Sequence, residues 1–207
     1  MTQADTTYPT AADLQIGQAI EGGFYAGAIR VGADLFGIVV ATKAEGTTKG
    51  VWLPTYTDVP GARSTCDGFA NTEAMAAAGS EIAKHVRGLT INGHSDWYIP
   101  SRDELEICYR NLKPTNDENC CSFRDGDNPS SVPPGLLYTE DSPAQTTVDA
   151  FKAGGAEAFD PVWHWSSTQY SDDSAYGQYF DDGDQYSSAK SWSGGSARAV
   201  RRFKLAA

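Results

Sequence analysis

Basic residues are scarce in this chain: 16 Lys and Arg stand against 27 Asp and Glu, for a net charge of −11. Such a surface repels nucleic-acid phosphates and anionic lipid, so the reading carries no nucleic-acid partner. Long apolar runs are missing as well. No stretch approaches the ~18–20 consecutive apolar residues needed to span a bilayer, so no membrane insertion is expected. The opening Met1-Thr-Gln-Ala-Asp5 lacks the basic and apolar regions of a signal peptide, which points to synthesis and folding in the cytoplasm. Histidine occurs three times, at the scattered positions His85, His94 and His164. The four cysteines, Cys66, Cys108, Cys120 and Cys121, contain no C-x-x-C, and bridging the adjacent pair demands a strained ring. They read as structural or incidental thiols, with a single disulfide or a metal as the alternatives. Ser-His-Asp ordering, a nucleophile elbow, a phosphate loop and a zinc motif are all absent, so no enzyme is expected and no catalytic residue is assigned.

What is present is a loop-rich globular chain of 207 residues, with 21 Gly and 10 Pro. Residues 1–15 are polar and read as a lead-in or attachment segment, and 16–207 as one domain. Phe24–Arg30 and Leu35–Ala41 are apolar runs around Val31-Gly-Ala-Asp34, a hairpin signal, and Val51-Trp-Leu53 reads as a further strand. Helices are expected from Asn71 to Ala78 with Asn71 as cap, and from Ser80 to Arg87. A third opens at Ser101-Arg-Asp-Glu104, a capping box, with Leu105, Cys108, Tyr109 and Leu112 on one face. Residues 115–141 form a long irregular segment, and Ser142-Pro143 reads as the start of a short last helix. Strands follow at 163–169, 175–181, 185–192 and 197–204, the last free to pair with the opening hairpin. The class is α+β.

Of the 22 residues between 170 and 191, 14 are Tyr, Ser or Asp, which is the composition of a recognition surface rather than of a core. Tyr offers broad amphipathic contact with few rotatable bonds, and Ser and Asp supply adaptable hydrogen bonds. Phe180, Trp192 and Val200 recur through this region, and Asp182-Gly183 is a turn signal, so the segment folds. The candidate ligand-binding residues are Tyr170, Asp172, Asp173, Tyr176, Tyr179, Asp181, Asp182, Asp184, Tyr186, Ser187, Ser188 and Trp192. A solvated acidic strand pair is the competing account, but such a surface has little use for four tyrosines.

Two blocks resemble a known family. Asn92-Gly-His-Ser-Asp-Trp-Tyr-Ile-Pro-Ser-Arg-Asp-Glu-Leu105 is similar to the "G-x-x-D-W-x-[LI]-P-[ST]-x-x-E-L" element of the DUF1566 family, also called the Lcl C-terminal domain family. Trp165-Ser-Ser-Thr168, with Phe180, Gly183 and the closing Arg198-Ala-Val-Arg201, resembles its "W-S-S-T…F-x-x-G…V-R-x-V-R" ending. Together they cover roughly residues 16–204. The resemblance implies a C-type-lectin-like fold. It also implies a role as a phage tail-fibre receptor-binding protein on the virion tail, recognising a host-surface protein or glycan. The variable proteins of diversity-generating retroelements are a related possibility, as is a structural tail or baseplate subunit contacting other tail or virion proteins. By the same analogy a homotrimer is expected.

Within the two blocks, Asp96, Trp97 and Pro100 read as scaffold. The hydroxyls of Ser166, Ser167 and Thr168 are expected to satisfy buried backbone groups. Arg198, Arg201, Arg202 and Lys204 are expected to pair internally with carboxylates. Calcium is conceivable through Asp125-Gly-Asp127-Asn128 or Asp181-Asp-Gly-Asp184. The sugar-binding triplets Glu-Pro-Asn and Trp-Asn-Asp and the D-x-[DN]-x-[DN]-G spacing are nevertheless missing, so no cofactor or metal residue is assigned.

Overall fold

The structure, a computed structural model, describes residues 8–122 and 124–206. It is an α+β arrangement of two sheets with helices packed between and beside them. The elements in chain order are β1 (Ala19–Ile20), β2 (Gly23–Val31), β3 (Asp34–Val40), α1 (Lys43–Gly46), β4 (Thr47–Lys49), α2 (Gly68–Ala77), α3 (Glu81–Arg87) and α4 (Arg102–Leu112). Then follow β5 (Ser131–Val132), β6 (Trp163–Gln169), β7 (Ser174–Tyr179), β8 (Gln185–Ala189), β9 (Ser196–Arg198) and β10 (Val200–Lys204).

The first sheet runs β1-β2-β3-β10, with β5 on the flank of β2, and the second runs β4-β9-β6-β7-β8. The opening hairpin forms as its apolar runs require, and β10 closes on β3 with Val200 opposite Val40. The expected final strand is in fact two. Ala199 is the crossing point: its amide donates to Gly46 and its carbonyl accepts from Ala41, so the chain leaves the second sheet and enters the first within one residue. Each basic residue of this ending meets a carboxylate: Arg198 with Glu157, Arg201 with Asp96 and Glu21, Arg202 with Asp67, and Lys204 with Asp34.

Three local expectations differ. The second helix begins three residues before Asn71, because Asp67 caps it by accepting from Ala70, while Asn71 lies inside it and hydrogen-bonds both backbone groups of Ser64. Val51–Leu53 is not a strand. Trp52 is buried with its indole N–H on the Ser166 carbonyl, and pairing with β9 falls to Thr47–Lys49 instead. The helix expected from Ser142 is replaced by a single 3-10 turn at Asp149–Phe151. Ser142 exchanges main-chain bonds with Thr139, and the Thr146 amide goes to Lys113, so these groups are engaged outside any helical ladder. The first seven residues of the expected lead-in lie outside the described residues. Beyond them Pro9 accepts from the Ala206 amide, and Ala11 and Leu14 pack on Leu35 and Leu205.

The helix α4 begins where the sequence places it. Ser101 accepts from the Glu104 amide, and Glu104 reaches back to the Ser101 amide at 2.7 Å. Glu104 is fully buried and also receives the Gly68 amide and the Tyr98 hydroxyl, which ties α4 to the start of α2. One core gathers Trp52, Trp97, Trp163 and Trp165 beneath α2 and α3. The other sets Leu105, Tyr109 and Leu112 of α4 against Ile38 and Val40 of the first sheet and Phe180 at the end of β7. No helix among the described residues is long and apolar enough to cross a membrane.

Candidate functional site

The hairpin β7–β8 carries most of the candidate binding residues, and its register sorts them. Tyr176 lies opposite Ser187, Gly177 opposite Tyr186 and Ala175 opposite Ser188. Since opposite residues share a face and neighbours alternate, Tyr176 and Ser187 point to one side and Tyr179, Tyr186 and Ser188 to the other. The candidates therefore do not form a single face. They divide over two faces of one hairpin and the turns at its two ends.

The face bearing Tyr186 is aromatic. Tyr186 packs on Trp163 at 4.6 Å between ring centroids, Tyr179 meets Trp163 at 5.4 Å, and Trp192 lies edge-on to Trp165 at 5.9 Å. Trp163 and Trp165 are buried, whereas Tyr186 and Trp192 remain 43% and 39% exposed. The outer rings thus rest on a rigid inner layer. Gly177 makes this possible: a Cβ there would fall 2.4 Å from the Trp163 ring. Burial also pushes the Tyr186 hydroxyl up to about 12, so it stays a neutral donor at physiological pH. Tyr56, 62% exposed, borders this patch, its hydroxyl 2.8 Å from that of Ser191 beside Trp192. Sequence reading missed Tyr56. The signal was available, since Pro54-Thr-Tyr-Thr-Asp58 repeats in miniature the Tyr-hydroxyl-Asp composition of the C-terminal segment.

The opposite face is more polar. Tyr170 and Tyr176 meet edge to face at 5.2 Å, and the Arg102 guanidinium lies 5.7 Å from the Tyr176 ring centre. Tyr176, Arg102, Arg124, Asp127 and Gln185 line a small cleft. Neither arginine stood out in the sequence, because Arg102 in a capping box reads as helix surface and Arg124 lies in the long irregular segment.

Most of the candidate aspartates shape the turns. Asp173 accepts from the Ser171 and Ser174 hydroxyls, which hold its carboxyl below the ordinary range. Asp172 is exposed, 3.9 Å from Arg63. At the other end Asp182 accepts from the Asp184 amide, and Asp181 from the Asp182 amide. Burial, with neighbouring aspartates adding to it, raises the carboxyls of Asp181 and Asp184. Thr115 and Cys120 anchor the long irregular segment to this turn through the Asp181 and Asp182 carbonyls.

Two buried lysines organise the loops. The Lys190 ammonium donates to the Thr57 and Asp172 carbonyls and to the Gln169 side chain, and lies 4.9 Å from the Trp52 ring centre. Lys113 does the same for the 117–119 and 143 segments through the Asp117 carbonyl and the Asn119 side chain. Each cation collects loop oxygens as a bound metal does elsewhere.

For metal chemistry, Cys120, Asp125 and Asp184 bring one donor atom each within 4.8 Å of one another. The two Asp125 oxygens already accept the Ser122 and Gln185 amides, and burial with the Asp125 bond pushes the Cys120 thiol up to about 11. A neutral thiol is a poor partner for a hard, oxygen-seeking cation, so the trio does not fit calcium. All four cysteines are free thiols.

The motif residues are structural. Asp96 takes Arg201 in a two-pronged ion pair, and Trp97 is buried with its N–H on the His94 carbonyl. Ser166 bonds the Tyr176 carbonyl, and Thr168 bonds the Ser64 carbonyl and the Arg102 amide. The Ser167 hydroxyl is buried without a partner among the described residues, against expectation for that position. Compared with known proteins, the chain matches no family model and no curated protein.

Proposed function

We propose that this chain is a non-enzymatic ligand-binding domain with a C-type-lectin-like fold. In this reading it serves as the receptor-binding element of a phage or prophage tail and engages a host-surface molecule through the β7–β8 hairpin. The observation that carries the reading is the exposed aromatic patch of Tyr186 and Trp192, seated on buried Trp163 and Trp165 and bordered by Tyr56. Rigid aromatic rings at the surface lose little entropy on binding and concentrate interaction energy. The placement of the first and last strands in one sheet and the structural use of the Asp96–Trp97 and Trp165–Thr168 blocks accord with the family resemblance.

A catalytic reading finds less support. The hollow of about 390 Å³ between β5, α4 and the 133–142 segment has Arg110 as its one ionisable lining residue, and Ser131 there is committed to main-chain carbonyls. His164 is buried in the interior and does not line this hollow.

The test is binding of the purified chain to a panel of whole bacterial cells and to an array of bacterial surface glycans. Tyr186→Ala with Trp192→Ala is expected to abolish binding while the thermal melt changes little, because both rings are partly exposed. Arg201→Ala, which breaks a scaffold ion pair, is expected to lower the melt instead. Undiminished binding by the aromatic variant would refute the assignment and shift attention to the exposed Leu136 and Leu137 of the irregular segment.

A further inference from the structure

The outer edge of β8 is open. Strand β8 ends the second sheet, with β7 on one side and no strand on the other among the described residues. The Lys190 amide donates to the Asp173 carbonyl, and the Tyr179 amide to the Asp184 carbonyl, which fixes the parity of the ladder. Tyr186 and Ser188 turn their main-chain groups toward β7, and Gln185, Ser187 and Ala189 turn theirs outward. At Gln185 the outward amide is capped by the Asp125 carboxylate at 3.1 Å, and the Ala189 carbonyl is taken by the Trp192 amide. The Gln185 carbonyl, both groups of Ser187 and the Ala189 amide have no partner among the described residues. Nor does the strand carry the usual protections of a free edge: Gln-Tyr-Ser-Ser-Ala holds no proline, no charge and no bulge.

We infer that β8 receives an extended segment of another protein as an additional strand. This deepens the proposed function and rests on it, since it names the class of ligand read by the same hairpin. An added strand hydrogen-bonds Ser187 through its main chain and sends alternate side chains to the two faces of the sheet. One set lies over Tyr186 and Trp192, the other over Tyr176 and the Arg102 cleft. The division of the binding residues over both faces, puzzling for a ligand lying flat, is what an edge-on ligand requires.

Charge selects the occupant. The edge runs between Asp172 and Asp173 at one end and Asp181, Asp182 and Asp184 at the other, and of these only Asp172 has a basic side chain within 4 Å among the described residues. A second copy of this chain, paired antiparallel on β8, would set one acidic turn against the other. A strand flanked by Lys or Arg meets both turns with opposite charge.

The experiment selects a displayed random-peptide library on the full chain and measures the enriched peptides against three proteins: the unaltered chain, Ser187→Pro, and Tyr186→Ala with Trp192→Ala. Proline at 187 removes an outward N–H and no bond to β7. Enriched peptides are expected to alternate in pattern and to carry basic ends. They should lose about tenfold or more in affinity for Ser187→Pro, the effect of forfeiting a main-chain hydrogen bond and fitting a ring at the interface. N-methylation of such a peptide at alternate residues should abolish binding in one phase and spare it in the other, a readout that holds even where Ser187→Pro folds poorly. Three outcomes overturn the inference: no peptide is enriched, binding ignores both N-methylation phases, or sedimentation shows a dimer that Ser187→Pro dissolves. If a surface glycan binds and is lost with the aromatic variant but not with Ser187→Pro, the edge assignment fails while the aromatic face stands.

Discussion

Replacing His164 with Phe tests how the interior of the second sheet responds to acid. The imidazole lies 5.4 Å from the Phe159 ring and 4.6 Å from the Phe180 ring, with Nε2 3.1 Å from the Asp160 carbonyl. Its Nδ1 is buried without a partner among the described residues. Burial lowers its pKa from 6.5 to about 4, so the ring is neutral in the fold. Below pH 6.5 the unfolded chain takes up a proton that the folded chain refuses. The stability tied to His164 is therefore fully present above pH 6.5 and drains away as pH falls toward 4. At about 1.4 kcal/mol per pH unit the total loss is about 3 kcal/mol, of which about 2 kcal/mol has gone by pH 5. His164→Phe keeps a ring of similar size. It forfeits one hydrogen bond, worth about 1 kcal/mol, and removes an orphaned buried nitrogen of comparable or greater cost, so near-equal stability is expected at pH 7.5. At pH 5 the variant should be the more stable by about 2 kcal/mol, a difference of roughly 4–8 °C in melting temperature. Burial raises the carboxyls of Glu104 and Glu106 and shapes the acid response in the opposite sense, but equally in both proteins, so it cancels in the comparison. Urea melts at the two pH values provide the measurement. Parallel loss of stability in both proteins would refute the assignment of acid sensitivity to this residue.

Two further substitutions probe the support beneath the hairpin. Lys190→Met retains the stem over Trp52 but strands the oxygens of Thr57, Asp172 and Gln169; a loss of about 3 kcal/mol is expected. Limited proteolysis should then cut near residues 170–173, and an unchanged melt with intact protease resistance would dismiss the lysine's role. Gly177→Ala drives a methyl to 2.4 Å from the Trp163 ring and 2.5 Å from the His164 carbonyl, for a cost of about 1–3 kcal/mol and an altered near-ultraviolet dichroism from the displaced indole. A silent alanine would mean that Trp163 is free to move.

Local chemistry was legible in the sequence where a side chain answers its own backbone. Ser101 and Glu104 announce a helix start because the capping box is complete within four residues, and the Gly-Ala turn between two apolar runs announces a hairpin. Partners far along the chain were not legible. Nothing in Val51-Trp-Leu53 reveals that its indole seeks the Ser166 carbonyl, and nothing in Ser142-Pro143 shows that Lys113 and Thr139 occupy the main-chain groups a helix would use. The candidate site divides in the same way. Composition identified the Tyr-rich hairpin, but cross-strand register decides which tyrosines share a face, and register is a property of the β6–β7–β8 pairing. Tyr56 and Arg102 enter from more than sixty residues upstream: the composition around Tyr56 marks it as a surface tyrosine, but no local reading places either residue beside the hairpin.

The crossing at Ala199 bears on the order in which the molecule is built. Val200 pairs with Val40, about 160 positions earlier, and Ser196 with Lys49, so neither sheet is complete until residues 196–204 are available. Contacts so distant in sequence slow the search for the native state. On the ribosome, the opening hairpin and α2–α4 emerge with their closing strand still unmade, and the apolar edge of β3 waits uncovered until Val200–Lys204 has emerged. Acquisition of structure should thus wait on this late segment, with the nine residues 196–204 acting as the clasp that joins both sheets at once.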